Sequence, residues 1–242
     1  MFKLSEFLHF LQHPVFNPLK RVKTNIFTTS IRVYLLLLLM IILANVIKTL
    51  LSKLFFTVPI NEVTIFAESL KDQHLRFFIL VAILAPIVEE IIFRLSLVFN
   101  PTYFAISFSI FITLIIYNLT SFVPAMISFF LLFLIFYYTA AHYEMLIHRF
   151  WNKYLGYLVY FSSLSFGLLH VGNYQFVETY QYFIIPLLIF PQLAMGFLLS
   201  FVRLYYKRGI LICILVHIFM NAMAASHFID SSSLYSSLFS FW

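Results

Sequence analysis

Long apolar runs separated by short polar segments make up most of the chain. Runs long enough to cross the roughly 30 Å hydrocarbon core of a bilayer lie near residues 33–52, 77–99, 103–118, 121–140, 154–172, 181–203 and 209–228. The short alternating segments typical of a membrane β-barrel do not occur. The pattern therefore predicts an all-α fold, a polytopic transmembrane helical bundle of about seven spans, within a range of six to eight.

The composition supports a lipid environment. Of the 242 residues, 63% are apolar and only 10% are charged, far from the quarter of charged residues typical of soluble domains. So few charged side chains cannot cover a water-exposed surface. Thirty-two Phe and fifteen Tyr suit helices that face acyl chains, with Tyr at the interfaces. Lipid is therefore an expected partner of the protein.

The chain divides into three predicted parts. Residues 1–76 contain an N-terminal segment, the first span and an amphipathic connector over 48–76. The segment before the first span suits a helix in the membrane interface, and a disordered terminus is an equal alternative. Residues 77–228 form the predicted membrane core, and 229–242 form a short tail. The first apolar run lacks a cleavage site for a signal peptide and is expected to remain as a span.

Basic residues give the protein a formal charge of +6, but they lie between apolar runs rather than in one stripe. This distribution predicts no nucleic-acid partner. Placing the N-terminus in the cytoplasm assigns ten Lys and Arg residues to inner segments and four to outer ones, as the positive-inside rule favours. The single cysteine, Cys213, excludes an internal disulfide and is expected to pack in the interior.

The second predicted span carries charged residues near its middle, namely Glu89, Glu90 and Arg94. Each costs about 3 kcal/mol at the bilayer centre, which cancels most of the gain from the apolar residues around it. Such charged groups are expected to face other helices or a water-filled cavity. The span therefore contains a candidate functional site.

Helical spacing separates the two carboxylates. Glu90 and Arg94 are four residues apart, the spacing of an intrahelical ion pair, whereas Glu89 lies about 100° around the helix. Pro86 removes the backbone donor to the Ala82 carbonyl and is expected to kink the helix or widen a polar pocket. Glu89 is thus predicted to need partners from other spans.

Two later spans also carry polar residues at helical spacing. Phe166 and His170 lie one turn apart, and Cys213, His217 and Asn221 share one stripe. A single buried histidine is more often a hydrogen-bonded packing residue than a catalyst. Four polar groups on three spans favour a function.

These groups suit the hydrolysis of a carbonyl compound. A carboxylate and an imidazole in a low-dielectric site can take the proton of an attacking water. His217 and Asn221 can donate hydrogen bonds to the resulting oxyanion. In the alternative, Glu89, His170 and His217 are ligands of a catalytic zinc ion with an open fourth position.

Signatures of other hydrolases, such as His-Glu-x-x-His, Gly-x-Gly-Asp and Gly-x-Ser, are absent. His142, Glu144 and His148 are not at metal-ligand spacing. With Arg149 they are predicted to form a solvated connector on the inner side.

Three ordered motifs carry a family resemblance: EExxxR at 89–94, FxxxH at 166–170 and HxxxN at 217–221. They resemble the motifs of the CPBP family, also called Abi, which contains type II CAAX prenyl proteases and bacteriocin-processing or immunity proteins. The similarity covers about residues 77–228. One departure is Leu95, because many relatives have Gly after the arginine.

The resemblance implies an intramembrane endopeptidase, acting on membrane-associated proteins or peptides, in the bacterial cell membrane. In this family pattern Glu89 and His170 activate the water, while His217 and Asn221 stabilise the oxyanion. The supporting residues are Glu90, Arg94 and Phe166. The family has been described both as metalloproteases and as metal-independent glutamate proteases, so the cofactor is either a divalent ion such as zinc or none.

Three alternatives remain open at this stage. The chain is compatible with a catalytically silent immunity or scaffold protein on the same fold, because function does not follow from fold. A proton-coupled carrier would use the same Glu and His residues as a relay. In the third alternative, the polar network only holds helices together.

Overall fold

The computed structural model describes residues 4–14, 21–55, 61–62, 74–175 and 179–233. The predicted connector at 48–76 lies largely outside these ranges, as do residues 234–242 of the predicted tail. The α-helices are α1 (Leu4–Gln12), α2 (Ile26–Phe55), α3 (His74–Phe78), α4 (Ala85–Phe93), α5 (Pro101–Leu119), α6 (Phe122–His142), α7 (Glu144–Lys153), α8 (Leu155–Leu169), α9 (Ile185–Leu188), α10 (Phe190–Tyr205) and α11 (Gly209–Ser233).

Shorter elements complete the described residues. A π-helix, Ile79–Leu84, joins α3 to α4, and 3₁₀-helices cover Leu95–Leu97, His170–Asn173 and Thr179–Ile184. Strand β1 (Asn61–Glu62) pairs antiparallel with β2 (Tyr174–Gln175). Because these two-residue strands are minor, the predicted all-α class is confirmed.

Five helical segments are long and apolar enough to cross a membrane: Ile26–Ile47, Pro101–Leu119, Phe122–His142, Leu155–Asn173 and Gly209–Ser226. A sixth span results if Tyr182–Leu188 and Phe190–Tyr205, which meet at a bend of 42°, are counted together. The described part of the chain therefore has the helices of a polytopic integral membrane protein.

The predicted span at 77–99 is not among these helices. Its residues from 77 to 93 lie in one continuous helical stretch made of α3, the π-helix and α4. This stretch is less apolar than the candidate spans because Glu89, Glu90 and Arg94 lie within or directly after it. Its charged residues thus account for five or six candidate spans among the described residues where the apolar runs predicted about seven.

The chain forms two compact units, and each contains part of the predicted site. The first comprises Met1–Thr24, Val88–Ser162 and Leu198–Cys213; the second comprises Asn25–Ile87, Ser163–Phe197 and Ile214–Trp242. Glu89, Glu90 and Arg94 belong to the first unit. Phe166, His170, His217 and Asn221 belong to the second.

In the first unit, an aromatic cluster fixes α7 beside α5. Trp151 of α7 is buried, and its ring lies 5.6 to 6.4 Å, between centroids, from the rings of Phe99, Phe104 and Phe108. The segment predicted as a solvated connector at 142–149 is exposed but is not a loop. His142 ends α6, and residues 144–149 belong to α7, whose buried face is anchored by Trp151.

The N-terminal segment also packs within the first unit. Phe7 and Phe10 of α1 are buried, with ring centroids 5.7 and 5.3 Å from that of Phe201. Further along, Arg21 Nη2 donates to the Tyr206 carbonyl at 2.5 Å, and partial burial lowers the pKa of Arg21. Residues 4–12 thus form a helix, the first of the two alternatives for this segment, and its place in the membrane interface stays a prediction.

In the second unit, α8 and α10 approach closely at a glycine. A Cβ atom added at Gly196 would lie 3.1 Å from both the Cα and the carbonyl oxygen of Ser163. Any larger side chain would thus push the two helices apart. This contact fixes the helix that leads to His170.

Candidate active site

A buried ion pair occupies the end of α4 in the first unit. Arg94 Nη1 lies 3.5 Å from Glu90 Oε1, and both side chains are fully buried. The pair predicted from the four-residue spacing is confirmed. Glu89, one residue earlier, is only partly buried, as its position about 100° around the helix allows.

Side chains from other helices bind the carbonyls that α4 leaves open at its C-terminus. Ser107 Oγ of α5 donates to the Ile91 carbonyl at 2.7 Å, and Ser162 Oγ of α8 donates to the Phe93 carbonyl at 2.6 Å. The last four carbonyls of a helix have no intrahelical partner. In a low-dielectric interior such donors avoid the cost of unsatisfied polar groups. The end of the helix that carries both carboxylates is therefore fixed.

Arg203 of α10 completes this arrangement. Its Nε donates to the Arg94 carbonyl at 3.0 Å and its Nη2 to the Leu95 carbonyl at 2.9 Å. The side chain is only 3% exposed, and its guanidinium carbon lies 5.5 Å from the ring centroid of Tyr103. The sequence places Arg203 among the inner basic residues and does not indicate this role, because an arginine at the end of an apolar run is typical of a membrane boundary.

We expect Arg203→Leu to destabilise the protein by about 2 to 3 kcal/mol, because two buried carbonyls lose charged donors. Arg203→Lys should restore part of the loss, since one ammonium group cannot reproduce the planar fork. Thermal unfolding in detergent measures both. Arg208→Gln, at an exposed position in the turn before α11, is the matched control. Equal transition temperatures for the Leu variant and the parent would contradict the role of Arg203.

In the second unit, one phenylalanine contacts two imidazoles. The Phe166 ring centroid lies 4.8 Å from that of His170 and 5.6 Å from that of His217, the latter in an edge-on contact at 81°. Phe166 is fully buried and His217 is 1% exposed. The second and third motifs therefore meet at the Phe166 side chain. Spacing along the chain could not predict this contact, because the two motifs lie on different helices.

A hydrogen bond determines the tautomer of His170. Its Nδ1 lies 2.8 Å from the carbonyl oxygen of Phe166. Because a carbonyl can only accept, Nδ1 carries the hydrogen. Neutral His170 then has its lone pair on Nε2, the atom that can take up a proton. The bond forms where α8 ends and its last carbonyls lack helical donors.

Asn221 of α11 bonds the π-helix. Its Nδ2 donates to the Val81 carbonyl at 3.0 Å, which leaves the second amide hydrogen for another acceptor. In an α-helical register, Pro86 is predicted to leave the Ala82 carbonyl without a backbone donor. The Ala85 N–H donates to the Leu80 carbonyl, five residues earlier in the chain. In the same register, the Val81 carbonyl would accept from the N–H of residue 86, which is a proline and has none. The π-register therefore shifts the open carbonyl by one residue.

The remaining member of the predicted stripe, Cys213, has a packing role. It is fully buried in the first unit, and its Sγ donates to the Leu199 carbonyl at 3.2 Å. Among the residues that the structure describes, no three His, Cys, Asp or Glu side chains form a group that would hold a metal ion. We therefore derive no chemical step through a metal. Zinc bound by Glu89, His170 and His217 stays a prediction.

Comparison with known proteins bears on the two later motifs. Residues 141–223 match the family model described as type II CAAX prenyl endopeptidase Rce1-like. The match covers about a third of the chain and includes FxxxH and HxxxN, whereas EExxxR precedes it. Neither a curated protein nor a solved structure matches the chain. Over residues 141–223, the chain is therefore similar to the CAAX protease-like family that its three motifs resemble.

Proposed function

We propose that the protein is a membrane-embedded endopeptidase of the CAAX protease type. The observation that carries the proposal is the hydrogen bond from His170 Nδ1 to the Phe166 carbonyl, which gives a histidine at the end of the candidate span Leu155–Asn173 the tautomer of a general base. The family match over the same residues supports it. The bias of basic residues favours a cytoplasmic N-terminus, and the family resemblance favours a bacterial cell membrane.

The proposed reaction begins with a water whose proton passes to Glu89 or His170 Nε2 as its oxygen attacks the scissile carbonyl. A tetrahedral intermediate forms, and its negative oxygen accepts hydrogen bonds from His217 and from the second N–H of Asn221. The bond between Asn221 and the Val81 carbonyl holds the amide in one orientation for this task. The intermediate then expels the amine, which takes up the proton removed from water.

We propose a prenylated protein as the substrate. The family description names a prenyl endopeptidase, and a C-terminal Cys-a-a-X sequence is the signal for prenylation. Hydrolysis after the modified cysteine would release the last three residues. Cleavage of the same peptide without its prenyl group tests whether the lipid chain is part of recognition.

The test is a cleavage assay with purified protein in lipid vesicles and a farnesylated Cys-a-a-X peptide. We expect release of the C-terminal tripeptide, identified by mass, and slower release from the unprenylated peptide. No release from either peptide would contradict the proposal. Addition of a chelator distinguishes the two mechanisms: retained cleavage supports the metal-free route, whereas loss that zinc reverses supports the zinc alternative.

A further inference from the structure

Helix α7 lies where the chain passes between two candidate spans. One residue separates it from Phe122–His142 before it, and one residue separates it from Leu155–Asn173 after it. A ten-residue helix rises only about 15 Å, too short to cross a bilayer. Its residues therefore stay at the membrane surface on which the first of these spans ends.

One stripe of α7 is both apolar and basic. Leu146 lies three and four residues before Arg149 and Phe150, and Lys153 lies four and three residues after them, the spacing of one helix face. All four are exposed in the structure, Leu146 at 69% and Phe150 at 55%. Trp151 anchors the opposite side within the aromatic cluster. The stripe is thus presented outward at the membrane surface.

An open groove of about 470 Å³ follows this stripe. Its lining residues are Leu146, Ile147, Arg149, Phe150, Lys153 and Tyr154. Arg149 Nη2 donates to Met145 Sδ at 3.6 Å, and Lys153 Nζ lies 5.2 Å from the Tyr154 ring centroid. Within the described part of the chain, neither cation forms an ion pair. The groove therefore offers two cations beside an apolar wall.

We propose that this groove binds an anionic phospholipid. Its phosphate would lie between Arg149 and Lys153, and an acyl chain would lie along Leu146 and Phe150. The charge of the groove favours an anionic lipid, because cations at a membrane surface attract anionic headgroups. The apolar side chains beside the two cations can enter the acyl region. Each cation is expected to contribute about a fivefold preference over a zwitterionic lipid.

The sequence supplies a reporter for this site. Trp151 and Trp242 are the two tryptophans of the chain, so Trp242→Phe leaves Trp151 of α7 as the single tryptophan. The full-length protein is placed in phosphatidylcholine vesicles that contain dibrominated phosphatidylglycerol or, separately, dibrominated phosphatidylcholine. Because two cations contribute, we expect the anionic quencher to bind about 25-fold more tightly. Equal quenching by the two lipids would overturn the proposal.

Variants locate the binding. Arg149→Gln with Lys153→Gln should bring the preference close to one, whereas Arg149→Lys should retain it. Lys207→Gln with Arg208→Gln, at the exposed turn before α11, is the matched control and should leave it unchanged. An unchanged preference in the α7 double variant would contradict the site.

A competition experiment distinguishes lipid from free phosphate. Loss of the preference on addition of glycerol phosphate would assign the groove to free phosphate instead. Thermal unfolding checks that each variant is folded.

Discussion

A Glu89→Gln protein is expected to cleave its substrate about 10² to 10⁴ times more slowly than the parent, the range expected for loss of a general base. Glutamine has nearly the same shape but cannot accept the proton of the attacking water. Glu89 is only partly buried, unlike the fully buried Glu90 beside it. The substitution should therefore remove chemistry with little effect on folding. The release of tripeptide from the vesicle assay measures the rate.

The matched control is Glu144→Gln, which changes an exposed carboxylate on α7 and should leave cleavage unchanged. Thermal unfolding of the Glu89→Gln protein should stay near that of the parent. A rate within twofold of the parent would contradict the role of Glu89. If the variant also sustained the protein's activity in cells, the scaffold or immunity alternative would be favoured.

The sequence was sufficient to predict the fold class and the ion pair. Apolar runs of span length strongly indicate transmembrane helices, because a helix forms all its backbone hydrogen bonds internally while its apolar side chains face lipid. The Glu90 and Arg94 pair was predictable for a simpler reason: both residues lie on one helix, where a four-residue step sets the distance.

The local register around Pro86 was not predictable in the same way. A proline indicates that a carbonyl loses its donor, and the α-helical register assigned that loss to Ala82. The π-helix at Ile79–Leu84 moves it to Val81, whose acceptor is then filled by Asn221. A single sequence does not distinguish a π-helical stretch from an α-helical one when the residues are uniformly apolar. The exact carbonyl therefore required coordinates.

Contacts between helices were also beyond the sequence. Phe166 was placed one turn from His170, but its contact with His217 depends on how α8 and α11 pack. Arg203 presents the same difficulty, since its bonds to the Arg94 and Leu95 carbonyls join residues more than a hundred positions apart. Helical periodicity indicates which residues share a face, and packing determines what that face contacts.

We expect Arg94→Met to destabilise the protein by about 3 to 5 kcal/mol, the usual cost of removing one partner of a buried ion pair. Both side chains are fully buried and 3.5 Å apart, so the substitution would leave the Glu90 carboxylate in a low-dielectric interior without this cation. Glu90 would then have to take up a proton or draw in water. Thermal unfolding in detergent, together with the yield of inserted protein, measures the loss.

The double variant Glu90→Gln with Arg94→Met separates the charge from the shape. If the cost arises from an uncompensated carboxylate, replacing both members should recover most of the stability, since buried pairs replaced as a unit are often neutral. A double variant as unstable as Arg94→Met alone would show instead that Arg94 stabilises the protein through contacts other than the pair. Cleavage by a stable double variant then reports whether the pair also positions Glu89. A normal rate would assign the pair to folding, and a reduced rate with normal stability would assign it to the orientation of the neighbouring carboxylate.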